Sequence, residues 1–121
     1  MKLFVSYAHV DMPLCKQIIA SVSPVHEVWH DQRLFAGMDW WTEIQRRLHW
    51  CEGFIYLLSP ESVESEYCQK EYNIARKLDK KIFPVLIQAH TEIPKSLGII
   101  QYADLSQGME HIPNLLNALF I

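Results

Sequence analysis

A glutamate stands where a helix ought to be apolar. Tyr67, Cys68, Ile74, Ala75 and Leu78 recur at helical spacing, and Glu71 falls on the same stripe. Its neighbours at i±3 and i±4 are Tyr67, Cys68, Ile74 and Ala75, none of them charged, so no ion pair along the helix can satisfy the carboxylate. A carboxylate on an inward face has its partner elsewhere, or lines a cavity and acts there. Two readings stay open. Glu71 lies at the edge of the stripe and reaches solvent or Arg76, or it is a functional carboxylate with the ring of Tyr67 beside it.

Rival chemistries lack their residues. The four glycines, Gly37, Gly53, Gly98 and Gly108, are too far apart for a G-x-G-x-x-G turn or a P-loop. Cys15, Cys51 and Cys68 form no C-x-x-C pair, and Cys68 reads as a small core residue. The six histidines include no i,i+4 ligand pair, so no metal site is expected. His9 could be a base, yet nothing in the sequence orients it. No G-x-S-x-G elbow is present for a hydrolase triad. A phosphoacceptor site would need an aspartate after the third strand and an acidic pair after the first, where this chain has Leu58-Ser59 and Ser6-Tyr7. With 11 Lys+Arg against 14 Asp+Glu, no basic face for nucleic acid is expected. No apolar run approaches the roughly 20 residues that span a bilayer, and no secretory signal opens the chain. A soluble, cytoplasmic domain is the expectation.

The elements that must position these residues alternate regularly. Strands are expected at Lys2–Ser6, Glu27–His30, Gly53–Leu58, Ile82–Ile87 and Ile99–Leu105. The first helix opens at Asp11-Met12-Pro13, with Asp11 as its cap. Asp39 caps the second, whose inward face is Trp40, Ile44, Leu48 and Cys51. Of Trp40 and Trp41, one is expected in the core and the other at the surface; Arg46-Arg47 reads as a solvated face. A third helix runs from Ser59-Pro60 to about Leu78, and the last begins near Ile112-Pro113. Pro84 cannot donate to a ladder, so a bulge or irregular pairing is expected there. Alternation of this kind makes an α/β domain over residues 1–121: a parallel sheet with helices on both faces. Ligands bind such sheets beyond the carboxyl ends of the strands, which points to Ser6–His9, the loop Asp31–Met38 and the turn after Ser59.

Those segments resemble a known family. Phe4-Val5-Ser6-Tyr7 with Asp11 is similar to the first box of TIR (Toll/interleukin-1 receptor) domains. Trp29-x-Asp31 with Leu34-x-x-Gly37-x-x-Trp40-x-x-x-Ile44 resembles the second strand, the BB loop and the helix behind it. Leu58-Ser59-Pro60 and Ser65-x-Tyr67-Cys68-x-x-Glu71 resemble the third strand and the S-x-W-C-x-x-E helix. Pro84-Val85 is typical of the fourth strand. The resemblance implies a flavodoxin-like, five-stranded parallel sheet in the order 2-1-3-4-5.

It also implies one of two activities. Many members, notably prokaryotic ones, cleave the nicotinamide–ribose bond of NAD+, giving ADP-ribose or a cyclised form in immune or anti-phage signalling; others only assemble with one another as scaffolds. The catalytic glutamate of the enzymes maps onto Glu71. The resemblance places Ser6, Tyr7, Arg33, Phe35, Gly37, Trp40 and Tyr67 at the substrate, with Tyr67 where the family commonly has tryptophan. Arg33 takes the phosphate contacts that relatives make just after the first box, where this chain has Ala8-His9. NAD+ would be substrate, with no further cofactor. Self-association with other TIR domains is expected through Leu34-Phe35-Ala36, an apolar tip on a polar loop. The alternative for Phe35 is folding back on its own domain. A nucleotide sensor without turnover is a third possibility, and the chain is expected to be the N-terminal piece of a longer protein.

Overall fold

The computed structural model describes residues 1–31, 39–98 and 100–120. Strands β1 (Lys2–Ser6), β2 (Glu27–His30), β3 (Gly53–Leu58), β4 (Lys81–Leu86) and β5 (Ala103–Asp104) form one parallel sheet in the order β2-β1-β3-β4-β5. Around it lie α1 (Met12–Val22), α2 (Trp40–Trp50), α3 (Pro60–Glu64), α4 (Glu66–Lys77) and α5 (Ile112–Ala118). Strand alternation sorts the side chains into two layers. Leu3 and Val5 of β1, Ile55 and Leu57 of β3 and Val85 of β4 pack with Cys15, Ile18 and Val22 of α1 and Leu115 of α5. Phe4, Phe54, Tyr56, Leu58 and Leu86 pack on the other face with Ile44 and Leu48 of α2 and Cys68, Tyr72 and Ala75 of α4. Every residue of β3 is buried, as a central strand covered on both sides requires.

The expected sheet order and the bounds of β1, β2 and β3 are those observed, but four local expectations are corrected. The helix expected from Ser59 to Leu78 is two. Ser65 adopts an extended backbone (φ −67°, ψ 123°), closes α3 through its N–H to the Ser62 carbonyl, and caps α4 by accepting from the Cys68 N–H. A serine hydroxyl competes with the helix for local hydrogen bonds, and here it wins. Asp11 stands before α1 without capping it; its carboxylate accepts instead from Ser59 Oγ, 48 residues away.

Pro84 needs no bulge. It pairs in unbroken register with Tyr56. The Ile87 N–H bonds to Leu58 on β3, while the Leu86 carbonyl accepts from Leu105 on the other side. By alternation the Pro84 nitrogen faces the β5 side, below Val85, where pairing with β5 begins. The fifth strand, expected over residues 99–105, is a ladder of two residues, Ala103 and Asp104. Ile100 packs against the aromatic layer instead, because an apolar run alone does not choose between pairing and packing.

Candidate active site

Glu71 is buried in α4, at 3% exposure, and so is not at the edge of its stripe. Its Oε1 accepts a 2.8 Å hydrogen bond from Ser6 Oγ at the end of β1. The buried face of α4 is Cys68, Glu71, Tyr72 and Ala75. Tyr72 was not part of the expected stripe; its hydroxyl meets that of Ser96 at 2.8 Å, which carries the polar tip of an otherwise buried ring. Cys68 Sγ donates to the Tyr7 carbonyl at 3.4 Å and ties the first turn of α4 to the segment after β1.

A small cleft opens over the carboxylate and is lined by Val5, Tyr7, His9, Asp31 and Glu71. It lies beyond the carboxyl ends of β1 and β2, where an open α/β sheet places its ligands. The Tyr7 hydroxyl donates to the Asp31 carbonyl and joins the exits of the two strands. The ring of Tyr7 lies 6.0 Å from that of His30, whose imidazole is held below its ordinary range chiefly by burial. Beneath the site, burial pushes the Tyr56 hydroxyl up, with the nearby Glu71 carboxylate adding to the rise, so it stays a neutral phenol.

The adjoining turn from β3 into α3 is pinned by hydroxyls. Ser59 Oγ accepts from the Ser62 N–H, Ser62 Oγ accepts from the Ser59 N–H, and Ser62 Oγ donates to the Leu57 carbonyl at 2.6 Å. Serine takes the place of Glu or Gln in this capping box. Burial pushes the Asp11 carboxyl up, and the hydrogen bond from Ser59 opposes that rise.

Trp40 and Trp41 do not divide into core and surface. Both are half-buried and gather around Tyr67, Trp40 edge-on at 4.7 Å between ring centroids and Trp41 at 6.1 Å. Lys70 Nζ sits 5.5 Å from the Tyr67 ring and 5.8 Å from that of Trp41. Arg47 is also more than a solvated side chain, lying 5.0 Å over Trp50 while bonding Glu43.

The structure therefore brings Ser6, Tyr7 and Glu71 together and sets Trp40 and Tyr67 in an aromatic cluster one helical turn from Glu71. Arg33, Leu34, Phe35, Ala36 and Gly37 lie outside the described residues. His9, which the sequence offered only as a base without an orienting partner, reaches the cleft, and so does Asp31, which was given no role of its own; the rule that ligands bind beyond strand ends had already marked both segments. The cysteines are buried, and burial pushes the thiols of Cys15 up to about 12 and Cys51 up to about 11, far from the nucleophilic thiolate range. Among the described residues no three His, Cys, Asp or Glu side chains gather to hold a metal, and no helix is long and apolar enough to cross a membrane.

A comparison with curated proteins found no match. Among solved structures, the chain is similar to the TIR domain of the Toll-related receptor TRR-2 from the lower metazoan Hydra magnipapillata, at 18% identity and a TM-score of 0.82, with 98% of each chain covered. It is also similar to the CMP N-glycosidase BcmB of Clostridium botulinum, at 16% identity and a TM-score of 0.73 over 100% of both chains. A third likeness is to the TIR domains of the activated Roq1 resistosome, which directly recognises the pathogen effector XopQ. There the identity is 13% and the TM-score 0.73, over 98% of this chain and 99% of that one. At such identities the likeness speaks for the fold alone. The family profile for TIR domains, by contrast, matches residues 3–119 of the sequence itself, nearly its whole length. The chain belongs to the TIR domain family.

Proposed function

We propose that this domain cleaves the N-glycosidic bond between nicotinamide and ribose in NAD+, with Glu71 as the catalytic carboxylate. The observation that carries this reading is the placement of Glu71: a buried carboxylate that lines a cleft at the strand ends and is held by Ser6. In the reaction the bond from C1′ to the pyridinium nitrogen breaks, and its electron pair goes to nicotinamide, which leaves neutral. The ribose takes on oxocarbenium character, which a carboxylate close to the sugar stabilises. Water adds to C1′ and loses a proton, so that NAD+ and water give nicotinamide, ADP-ribose and H+. Glu71 acts by its charge and need not become bonded to the sugar. The half-buried rings of Trp40 and Tyr67 give the departing base an aromatic neighbour. The same fold carries a CMP N-glycosidase, so N-glycosidic cleavage is a reaction class that the fold accommodates. Assembly with other copies belongs to the same reading, through Leu34-Phe35-Ala36, in immune signalling.

The test is incubation of the concentrated protein with NAD+, and separately with CMP, with products resolved by chromatography. Nicotinamide release that falls by more than about 100-fold in Glu71→Gln, with an unchanged melting temperature, is expected. Turnover that persists in that variant removes Glu71 from the mechanism. Cytosine release from CMP without nicotinamide release from NAD+ would move the substrate but keep the reaction class. A domain that assembles yet cleaves neither is a scaffold.

A further inference from the structure

Ser6 and Glu71 divide the carboxylate's task between them. Ser6 is the last residue of β1, in register with Tyr56 of β3, and by alternation it follows Phe4 onto the face that α4 covers. Ser6 is 1% exposed, and the cleft over Glu71 is lined by Val5, Tyr7, His9, Asp31 and Glu71, without it. A hydroxyl shut away there has no route to a sugar in the cleft. What it does reach is Glu71 Oε1, at 2.8 Å.

We propose that Ser6 is a positioning residue: its hydroxyl donates from beneath to one carboxylate oxygen of Glu71 and so fixes the rotamer that presents the carboxylate to the cleft. The inference rests on the reading of Glu71 as the catalytic carboxylate, and it revises the expectation that Ser6 touches substrate. Two effects follow from the donor. A hydrogen bond to the ionised form favours that form, and a strand paired with β3 up to Ser6 gives the donor a fixed origin. Loss of the hydroxyl leaves the cleft walls in place, so binding of substrate and stabilisation of the transition state should separate.

The experiment follows Glu71 directly in the wild type, Ser6→Ala and Ser6→Thr. The side-chain carboxyl carbon is observed by 13C NMR during a pH titration and identified by its absence in Glu71→Gln. Among the described residues the other titratable groups around it are Tyr7, His9 and Asp31 at the cleft, Tyr56 on β3, and Cys68 and Tyr72 on α4; all are common to the three proteins. The Glu71 midpoint is expected to move upward in Ser6→Ala and to return toward wild type in Ser6→Thr, which restores the hydroxyl. In turnover of NAD+, kcat should fall about tenfold or more in Ser6→Ala while KM stays within about twofold. An unmoved midpoint overturns the proposal, as does a rise in KM at constant kcat, which would put the hydroxyl on the substrate. A midpoint that moves in a protein releasing no nicotinamide upholds the hold of Ser6 on Glu71 and removes the nicotinamide chemistry instead.

Discussion

Buried polar side chains divide unequally between the two ends of the sheet. Ser6, Asp11, Ser59, Ser62 and Glu71 lie at the carboxyl end, and the hydrogen bonds join them into pairs and chains: Ser6 with Glu71, and Asp11 with Ser59 and Ser62. At the amino end His26 is buried just before β2, and neither of its ring nitrogens has a hydrogen-bond partner among the described residues. Its ring lies 5.3 Å from that of Phe120 and is treated by the fold as an aromatic filler. Burial of a polar group costs about 1–3 kcal/mol unless it is bonded. The carboxyl end offsets that cost pair by pair, which is the arrangement that holds a carboxylate still. The amino end bears it without an evident return.

Cutting the bonded end should cost the most. Ser59→Ala removes the donor to the Asp11 carboxylate and the acceptor for the Ser62 N–H together. A loss of about 1–3 kcal/mol is expected in urea unfolding with an unchanged slope; a loss below about 0.5 kcal/mol would show that the hydroxyl chain is ornamental. Ser65→Ala tests the break between α3 and α4. It removes the cap on the Cys68 N–H and should cost about 1 kcal/mol by the same measurement. If that variant instead gains stability, α3 and α4 prefer to fuse and the break is not held by the serine.

The smallest effect belongs to the amino end. His26→Leu should cost no stability at neutral pH and recover up to about 1 kcal/mol, because no bonded partner is stranded and two unbonded ring nitrogens are removed. Its pH dependence has a definite sign. Burial holds the His26 imidazole below its ordinary value of 6.5. Above that value both folded and unfolded chains carry it neutral, and the group contributes nothing to the slope. As pH falls below it, the unfolded chain takes up a proton that the folded chain resists, and stability is lost. His26→Leu should therefore gain on the wild type as pH falls from about 7 to about 5. A difference that stays constant across that window would place the imidazole in contact with water or a partner, and the contrast between the two ends would lose its footing.

Much of the fold was legible because its signals are local. Short apolar, β-prone runs marked Lys2–Ser6 and Gly53–Leu58, and Asp39, which accepts from Thr42, announced α2. Glu71 was legible too, as an acidic residue breaking a helical stripe. Its partner was not. Ser6 lies 65 residues earlier, and nothing in either neighbourhood encodes the other. Asp11 illustrates the same limit in reverse: it sits at a capping position with a capping side chain, yet a serine 48 residues away competes for the carboxylate and takes it. Pro84 looked disruptive only because its strand neighbours were unknown; pairing with β5 begins one residue later, at Val85, so no residue of that ladder is paired with Pro84.

Taken alone, the order of residues determined which elements form and which face each side chain presents, since those depend on dihedral preferences and on repeats of two and 3.6 residues. Tertiary structure decided which faces meet. Parallel strands are neighbours only by way of crossovers, so the contact between the end of β1 and the middle of α4, on which the cleft depends, exists only once the whole sheet is assembled.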